Sequence, residues 1–241
     1  MAIQGIVVAI VVLVILPCYL VYKPPWIVVN YFQSRFPDVL FQIETGRKIV
    51  ALTIDDVPSP YTEQILEILH TNDAHATFFV IGSQVAGHEE VMARIVQQGN
   101  DLGNHAMHDE PSLSLPSDVL SDQILQVDDL INQAYQTTGI TRTAHYFRPG
   151  SGFFSARLLD VAAKLDYHTI LGSIYPHDPF MTSWRVNAWH ILSMIRPGAV
   201  IICHDRRSWT VPMLKRVVPE LKRRGYEIVT VSGLLDATSA S

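Results

Sequence analysis

The chain reads as an α/β protein, a parallel β-sheet covered by helices. Three observations predict this. Short β-branched or apolar runs alternate with longer amphipathic segments from Lys48 onward. The runs are apolar at consecutive positions, as in strands buried on both faces. Ionisable residues recur just after the runs, where the strand ends of such sheets converge on one face. In chain order the runs are "KIVALTI", "ATFFVI", "YHTILGSI", "AVIIC" and "YEIVTV", with the shorter "DLGN" and "HYF" between them. The helical segments are Tyr61 to Asn72, Glu89 to Gln98, Ser117 to Gln136, Ser155 to Leu165 and Thr210 to Arg224. Ser117 and Ser155 are the expected N-caps. With no repeat, low-complexity tract or Gly/Ser-rich linker, residues 48–241 form one expected domain.

At 241 residues such a chain buries ample apolar surface without disulfide staples. Cys18 and Cys203 both lie in apolar runs and are read as free thiols. A net charge of -5 with scattered Lys and Arg excludes a nucleic-acid footprint. The dense cluster "LKRRGYE" fits a solvated helix end. Residues 1–23 are different. From Gly5 to Tyr22 no charge interrupts "GIVVAIVVLVILPCYLVY", a length close to a membrane span. No basic residue precedes the run and no small-x-small site ends it, which favours an uncleaved anchor over a cleaved signal. The expected location is therefore membrane-anchored or secreted, at the cell surface. Lys23 and Arg35 behind the run would point the domain to the cytosol on the positive-inside rule, so orientation stays open. Residues 24–47 form a connector with apolar patches, expected to pack on the domain.

The polar residues at the run ends carry the chemistry. Asp55 and Asp56 follow "KIVALTI", His105 follows "DLGN", Arg148 ends "HYF", Asp178 follows "YHTILGSI", and His204 and Asp205 follow "AVIIC". Two adjacent carboxylates leaving a buried strand raise each other's pKa. A divalent metal relieves that conflict; alternatively "DDVPSP" is a helix-capping turn. Within "GNHAMHDEPS", His105 pairs with His108 at a spacing of three or with Asp109 at a spacing of four, either pair lying on one side of a helical turn. Imidazole and carboxylate together suit Zn²⁺ or a similar ion.

The motifs "TIDDVPSPYTEQIL", "ATFFVIG", "GNHAMHDEPS", "YFRPGSG" and "GAVIICHD" resemble, in order and spacing, those of the NodB-homology polysaccharide deacetylases, carbohydrate esterase family 4, with the closest flavour among fungal putative chitin deacetylases. The resemblance covers Lys48 to Leu235. It implies a distorted (β/α) barrel with fewer than eight strands behind the N-terminal hydrophobic helix. It also implies metal-dependent removal of acetyl groups from N-acetylglucosamine polymers such as chitin or chito-oligosaccharides. On this resemblance Asp55 matches the general base and Arg148 the arginine that orients it. His204 matches the general acid and Asp178 the carboxylate behind it. Asp56 and His105 match metal ligands for one divalent ion, Zn²⁺ first, Co²⁺ or Mn²⁺ next. The Ser151 backbone is a candidate for the oxyanion site.

Three positions depart from the family pattern. Val57 stands where glycine is usual, narrowing the pocket or shifting the turn. Pro179 replaces a groove tryptophan, leaving Tyr175, His177 or Trp184 to supply the wall. The family's second histidine falls on Asp109, with His108 displaced by one, and Asp109 is the favoured third ligand on spacing. Two rival readings remain open: a sugar-binding protein on the same scaffold that has lost its chemistry, and a small-molecule deacylase or amidase.

Overall fold

The computed structural model describes residue 4, residues 11–143 and residues 145–239. Eight strands form it: β1 (Val39–Leu40), β2 (Ile49–Val57), β3 (Ala76–Val80), β4 (Asp101–Asn104), β5 (Tyr146–Phe147), β6 (His168–Ile170), β7 (Val200–His204) and β8 (Glu227–Val229). Every ladder is parallel. The order is β1-β6-β5-β4-β3-β2-β7, and β8 also pairs with β2. β8 takes Ile49 to Ala51 and β7 takes Ala51 to Asp55. Because the two share one edge of β2 in succession, the sheet is seven strands wide, an incomplete barrel. β2 is buried at all nine positions, as a central strand covered on both faces must be.

The helices are α1 (Leu16–Tyr22), α2 (Trp26–Arg35), α3 (Thr62–Thr71), α4 (Glu89–Gln97), α5 (Ser117–Thr138), α6 (Ala156–Lys164), α7 (Trp184–Met194), α8 (Thr210–Arg223) and α9 (Val231–Ser239). The main core joins one face of β2 and β3 to α3, α4, α5, α7 and α8, with Leu52, Ile54, Phe78, Ile65, Ile95, Val127, Ile191 and Leu214 all buried. Ser155 caps α6 by accepting from the Leu158 N–H at 3.3 Å. Ser117 does not cap α5: it is the first helical residue, Pro116 holds the cap position, and no side-chain cap bond forms. Pro116 at the cap brings the chain in extended and carries no side-chain oxygen to accept from the first N–H groups of the helix. Helices α7 and α9 escape the periodicity reading. α7 follows the Pro-containing loop "PHDPFMTS", and α9 begins inside the run taken as the last strand.

The connector is more structured than its composition suggests. Residues 26–35 form α2, and β1 docks against β6 as the sheet's edge strand. Of the apolar run from Gly5 to Tyr22, residues 5–10 lie outside the described residues. Val11–Ile15 forms a π-helical turn leading into α1. Among the described residues no single helix is long and apolar enough to cross a membrane. Val12–Tyr22 and Trp26–Arg35 pass that test only together, as a pair bent by 70°. Tyr22 and Lys23 fasten this end to the domain: the Tyr22 ring stacks on His177 at 5.0 Å and Lys23 Nζ donates to Ser193 Oγ at 2.8 Å. Both cysteines are free, Cys18 exposed and Cys203 buried.

Candidate active site

The site is assembled at the C-terminal ends of β2, β4, β5 and β7. β2 runs three residues further than the apolar pattern implied, so Asp55 and Asp56 belong to the strand. The β2–β3 register slips between Ile54 and Val57: Ile54 pairs with Phe78 but Val57 with Val80. The extra residue is a β-bulge, and Asp56 takes φ 62° there. Neighbours on a regular strand face opposite sides; a bulge re-aims a side chain, and here both carboxylates serve one centre. Val57, buried beside them, precedes a cis peptide bond to Pro58. A left-handed backbone on a non-glycine residue is the kind of strain that concentrates at working sites.

Asp55 is register-paired with His204 across the β2–β7 ladder. Its Oδ1 accepts from Arg148 Nη1 at 2.5 Å, and its Oδ2 lies 3.8 Å from His204 Nε2. Arg148 is 2% exposed, and four of the five N–H groups of its guanidinium have partners. Nη1 also donates to Thr53 Oγ1 (2.7 Å), Nε to Ile170 O (3.1 Å) and Nη2 to Leu171 O (2.9 Å), while the Phe79 ring covers it at 4.1 Å. A planar five-donor fork suits this buried task where lysine would not. Burial is the largest influence on Asp55 and opposes its charge, yet Arg148, His105 and His204 together hold its carboxyl below the usual range.

His204 is held from behind. Asp178, fully buried, accepts from the His204 backbone N–H (2.7 Å) and from Nδ1 (2.9 Å). A carboxylate on Nδ1 fixes that nitrogen as the donor and turns Nε2 toward Asp55. Burial opposes the imidazolium most strongly, but Asp178, then Asp55 and Asp56, overcome it and raise the pKa to about 9. Tyr175 packs edge-on against His204 at 5.8 Å and tilted against His177 at 4.5 Å. Tyr175 and His177 thus stand side by side next to His204. Trp184 does not join them: it packs against the main core. Trp209 instead supports this loop, donating from Nε1 to the Asp178 carbonyl at 2.9 Å.

On the opposite side His105 Nδ1 sits 2.6 Å from the Arg148 carbonyl. A carbonyl only accepts, so Nδ1 carries the proton and Nε2 presents a lone pair, 3.9 Å from Asp56 Oδ1. This pairing of imidazole and carboxylate fits a divalent cation, including the backbone partner that orients metal-binding histidines. The expected triads are not assembled. Among the described residues no group of three His, Cys, Asp or Glu side chains could hold a metal. Asp109 and His108 are both exposed, and Asp109 is ion-paired with Arg206 at 3.5 Å. The cause is backbone conformation. Ala106 takes φ 65°, so no helical turn forms after His105. Gly82 N, Ser83 N and Gln123 Oε1 then pin Ala106 and Met107 against β3 and α5.

The "RPGSG" turn packs against this loop. Gly150 N–H donates to Ser112 Oγ at 2.8 Å. A Cβ on Gly150 would come within 2.1 Å of the Glu110 carbonyl oxygen, so only glycine permits the approach. Ser151 at the turn's tip has φ 62° and an exposed side chain bonded to the Gly150 carbonyl.

Two further residues at this centre received no role from the sequence. Asp205 is fully buried and accepts from Ser59 Oγ (2.6 Å), Thr62 Oγ1 (2.5 Å) and the Arg206 N–H (2.7 Å), tying the loop after β2 to the end of β7. Arg207 reaches back to Asp56 Oδ2 at 3.2 Å. The sequence places Asp205 at the strand end beside His204 but does not distinguish its buried, loop-tying position. Nothing in the sequence directs Arg207 across the site.

Comparison with known proteins agrees with this geometry. A family model described as polysaccharide deacetylase matches residues 42–170. The peptidoglycan-N-acetylglucosamine deacetylase of Bacillus cereus is 32% identical over 203 residues, covering 82% of this chain and 92% of that protein. The chitooligosaccharide deacetylase of a Bradyrhizobium species is 31% identical over 200 residues, covering 76% and 89%. Among solved structures, a carbohydrate esterase family 4 pseudoenzyme from Bacillus anthracis superposes with a TM-score of 0.73 at 27% identity, covering 82% of this chain and 68% of that one. The peptidoglycan deacetylase PdaC of Bacillus subtilis gives a TM-score of 0.73 at 27% identity, covering 82% and 95%. The chain therefore belongs to the polysaccharide deacetylase family, carbohydrate esterase family 4.

Proposed function

We propose that the chain hydrolyses the N-acetyl groups of an N-acetylglucosamine polymer, chitin or chito-oligosaccharide. The observation that carries this reading is the Asp55–His204 pair. Two titratable groups face one another at 3.8 Å, with environments that hold one ionised and the other protonated. Pairs of groups with pKa values pushed apart mark an acid and a base. Asp55, locked on Arg148, takes the proton of the attacking water as that oxygen bonds to the acetyl carbon. His204, protonated through Asp178, gives its Nε2 proton to the departing amide nitrogen. The C–N bond then breaks to acetate and a free amine. Asp56 and His105 would hold a divalent ion, which when bound polarises the acetyl carbonyl and lowers the pKa of water. Tyr175 and His177 offer ring faces and edges for a sugar.

Acetate release from N-acetylglucosamine oligomers by the full chain, with Zn²⁺, Co²⁺ or Mn²⁺ supplied, tests the reading. Loss of release in Asp55→Asn supports it; no release from any acetylated glycan overturns it. One observation favours a second reading, a sugar-binding protein without turnover: no third ligand joins Asp56 and His105 among the described residues. Binding of the oligomer with no acetate formed under every metal would select it. The uncharged run from Gly5 to Tyr22 is the feature that supports work at a cell surface, membrane-anchored or secreted, which fractionation of the full chain tests.

A further inference from the structure

The dipeptide after Asp205 carries two arginines, and each engages a carboxylate on the metal side of the site. Arg207 Nη2 lies 3.2 Å from Asp56 Oδ2, and Arg206 Nη1 lies 3.5 Å from Asp109 Oδ2. Their placement is built rather than incidental. Arg206 takes φ 60°, and its N–H is held by Asp205, so the backbone turns sharply enough to aim consecutive side chains at two separate targets. Gln84, with its amide nitrogen toward the Asp56 and Pro58 carbonyls, turns its oxygen to Arg206 Nη1 at 3.1 Å. The Arg207–Asp56 pair is sheltered, with side chains 22% and 4% exposed, so it is screened less than a surface pair.

Charge accounting gives these contacts a consequence. Asp55 is matched by Arg148 and Asp178 by His204. Asp56, the carboxylate that would bind the metal, is matched by Arg207. Every carboxylate around the centre that faces a cation already has one of its own. A divalent ion entering beside His105 must share Asp56 with a guanidinium or displace it, and Asp109 must leave Arg206 before it can serve as a third ligand.

Resting on the reading of Asp56 and His105 as metal ligands, we propose that Arg206 and Arg207 form a latch that competes with the metal for Asp56 and Asp109, making metal loading weak and reversible. The alternative is that Arg207 merely orients Asp56, and the two predict opposite signs. Neighbours of metal ligands change affinity by about 10- to 100-fold. A competitor's removal raises affinity, whereas an orienting partner's removal lowers it.

The test is titration of metal-stripped full-length protein with Mn²⁺, followed by the electron paramagnetic resonance signal of the free ion, and with Zn²⁺ by calorimetry. Arg207→Gln should bind at least about tenfold more tightly than wild type, and the Arg206→Gln, Arg207→Gln double variant more tightly still. Arg207→Lys, which keeps the charge, should stay near wild type. Adding Asp56→Asn to Arg207→Gln should abolish the gain. Equal or weaker binding in Arg207→Gln overturns the latch, as does a gain in Arg207→Lys equal to that of Gln, or a gain that survives Asp56→Asn. Metal affinity is read without turnover. A latch that fails while acetate is still released leaves the enzymatic reading intact, and tight metal binding without any acetate release does the reverse.

Discussion

Replacing Asp178 by asparagine isolates the device that keeps His204 protonated. The substitution preserves shape but removes the charge 2.9 Å from Nδ1, and it sets an amide N–H against one of the two donors, His204 N or Nδ1, that Asp178 now accepts. With charge centres about 4 Å apart and an effective dielectric of about 20, the lost attraction is roughly 4 kcal/mol, about three pKa units. Burial, the largest influence on this imidazole, is then opposed only by Asp55 and Asp56. A general acid works below its pKa, so the wild-type kcat/KM profile should fall on its basic side near 9. In Asp178→Asn that limb should move to lower pH by two units or more, with the plateau down about 10²- to 10⁴-fold, the range for acid–base assistance. Stability follows the same sign. A raised histidine pKa stabilises the fold fully below the ordinary value of 6.5 and is lost as pH rises through about 9. The variant should lack that decline in denaturant midpoint. Steady-state acetate release across pH, with denaturation at matched pH values, reads both. An unmoved basic limb would refute the assignment of His204 as an acid poised by Asp178.

Three further outcomes follow from other parts of the site. Asp55→Asn leaves Arg148 charged and buried, and should cost about 3 kcal/mol in urea unfolding, the low end for a broken buried pair because Thr53, Ile170 and Leu171 still accept from it. Adding Arg148→Met should recover stability but not acetate release. Asp205→Asn should stay within about 1 kcal/mol of wild type, since an amide can accept from Arg206 N and donate to Thr62 Oγ1, whereas Asp205→Ala strands three donors and should cost about 3 kcal/mol. Gly150→Ala forces apart the "RPGSG" turn and the Glu110 carbonyl, and should lower the melting temperature by several degrees, corresponding to about 2 kcal/mol or more. Equal melting temperatures for Gly150→Ala and wild type would show that the loop yields.

The sheet was legible because burial on both faces leaves a continuous apolar signature. β2, β3 and β7 all register it, and the ends of β2 and β7 carry Asp55, Asp56 and His204 as expected. Where the strand is short the signature shrinks. β5, two residues long, shows only as the short run "HYF", and β1, also two, falls inside the connector. Helix α7 stayed hidden because its residues are apolar around much of the circumference: Ala188, Ile191 and Met194 are buried while Trp189 is exposed. A one-sided stripe is what helical periodicity detects.

The clustering of Asp55, Arg148, Asp178 and His204 was legible and the placement of the proposed third metal ligand was not, for a physical reason. Asp55, Arg148, Asp178 and His204 lie on strand ends or on a loop bonded directly to one, so sheet register fixes where their side chains go. Asp109 is five residues beyond its strand, and one residue with positive φ, Ala106, sends the chain out of the turn that spacing assumed. Conservation of spacing transfers position only while the backbone between anchors keeps its conformation. Arg206 and Arg207 show the converse case. They directly follow the buried Asp205, so position is fixed, but their side chains cross the site because Arg206 is itself left-handed. A long side chain that leaves a left-handed residue has no direction that periodicity can state, and the carboxylates it meets, Asp56 and Asp109, are the ones proposed to hold a metal.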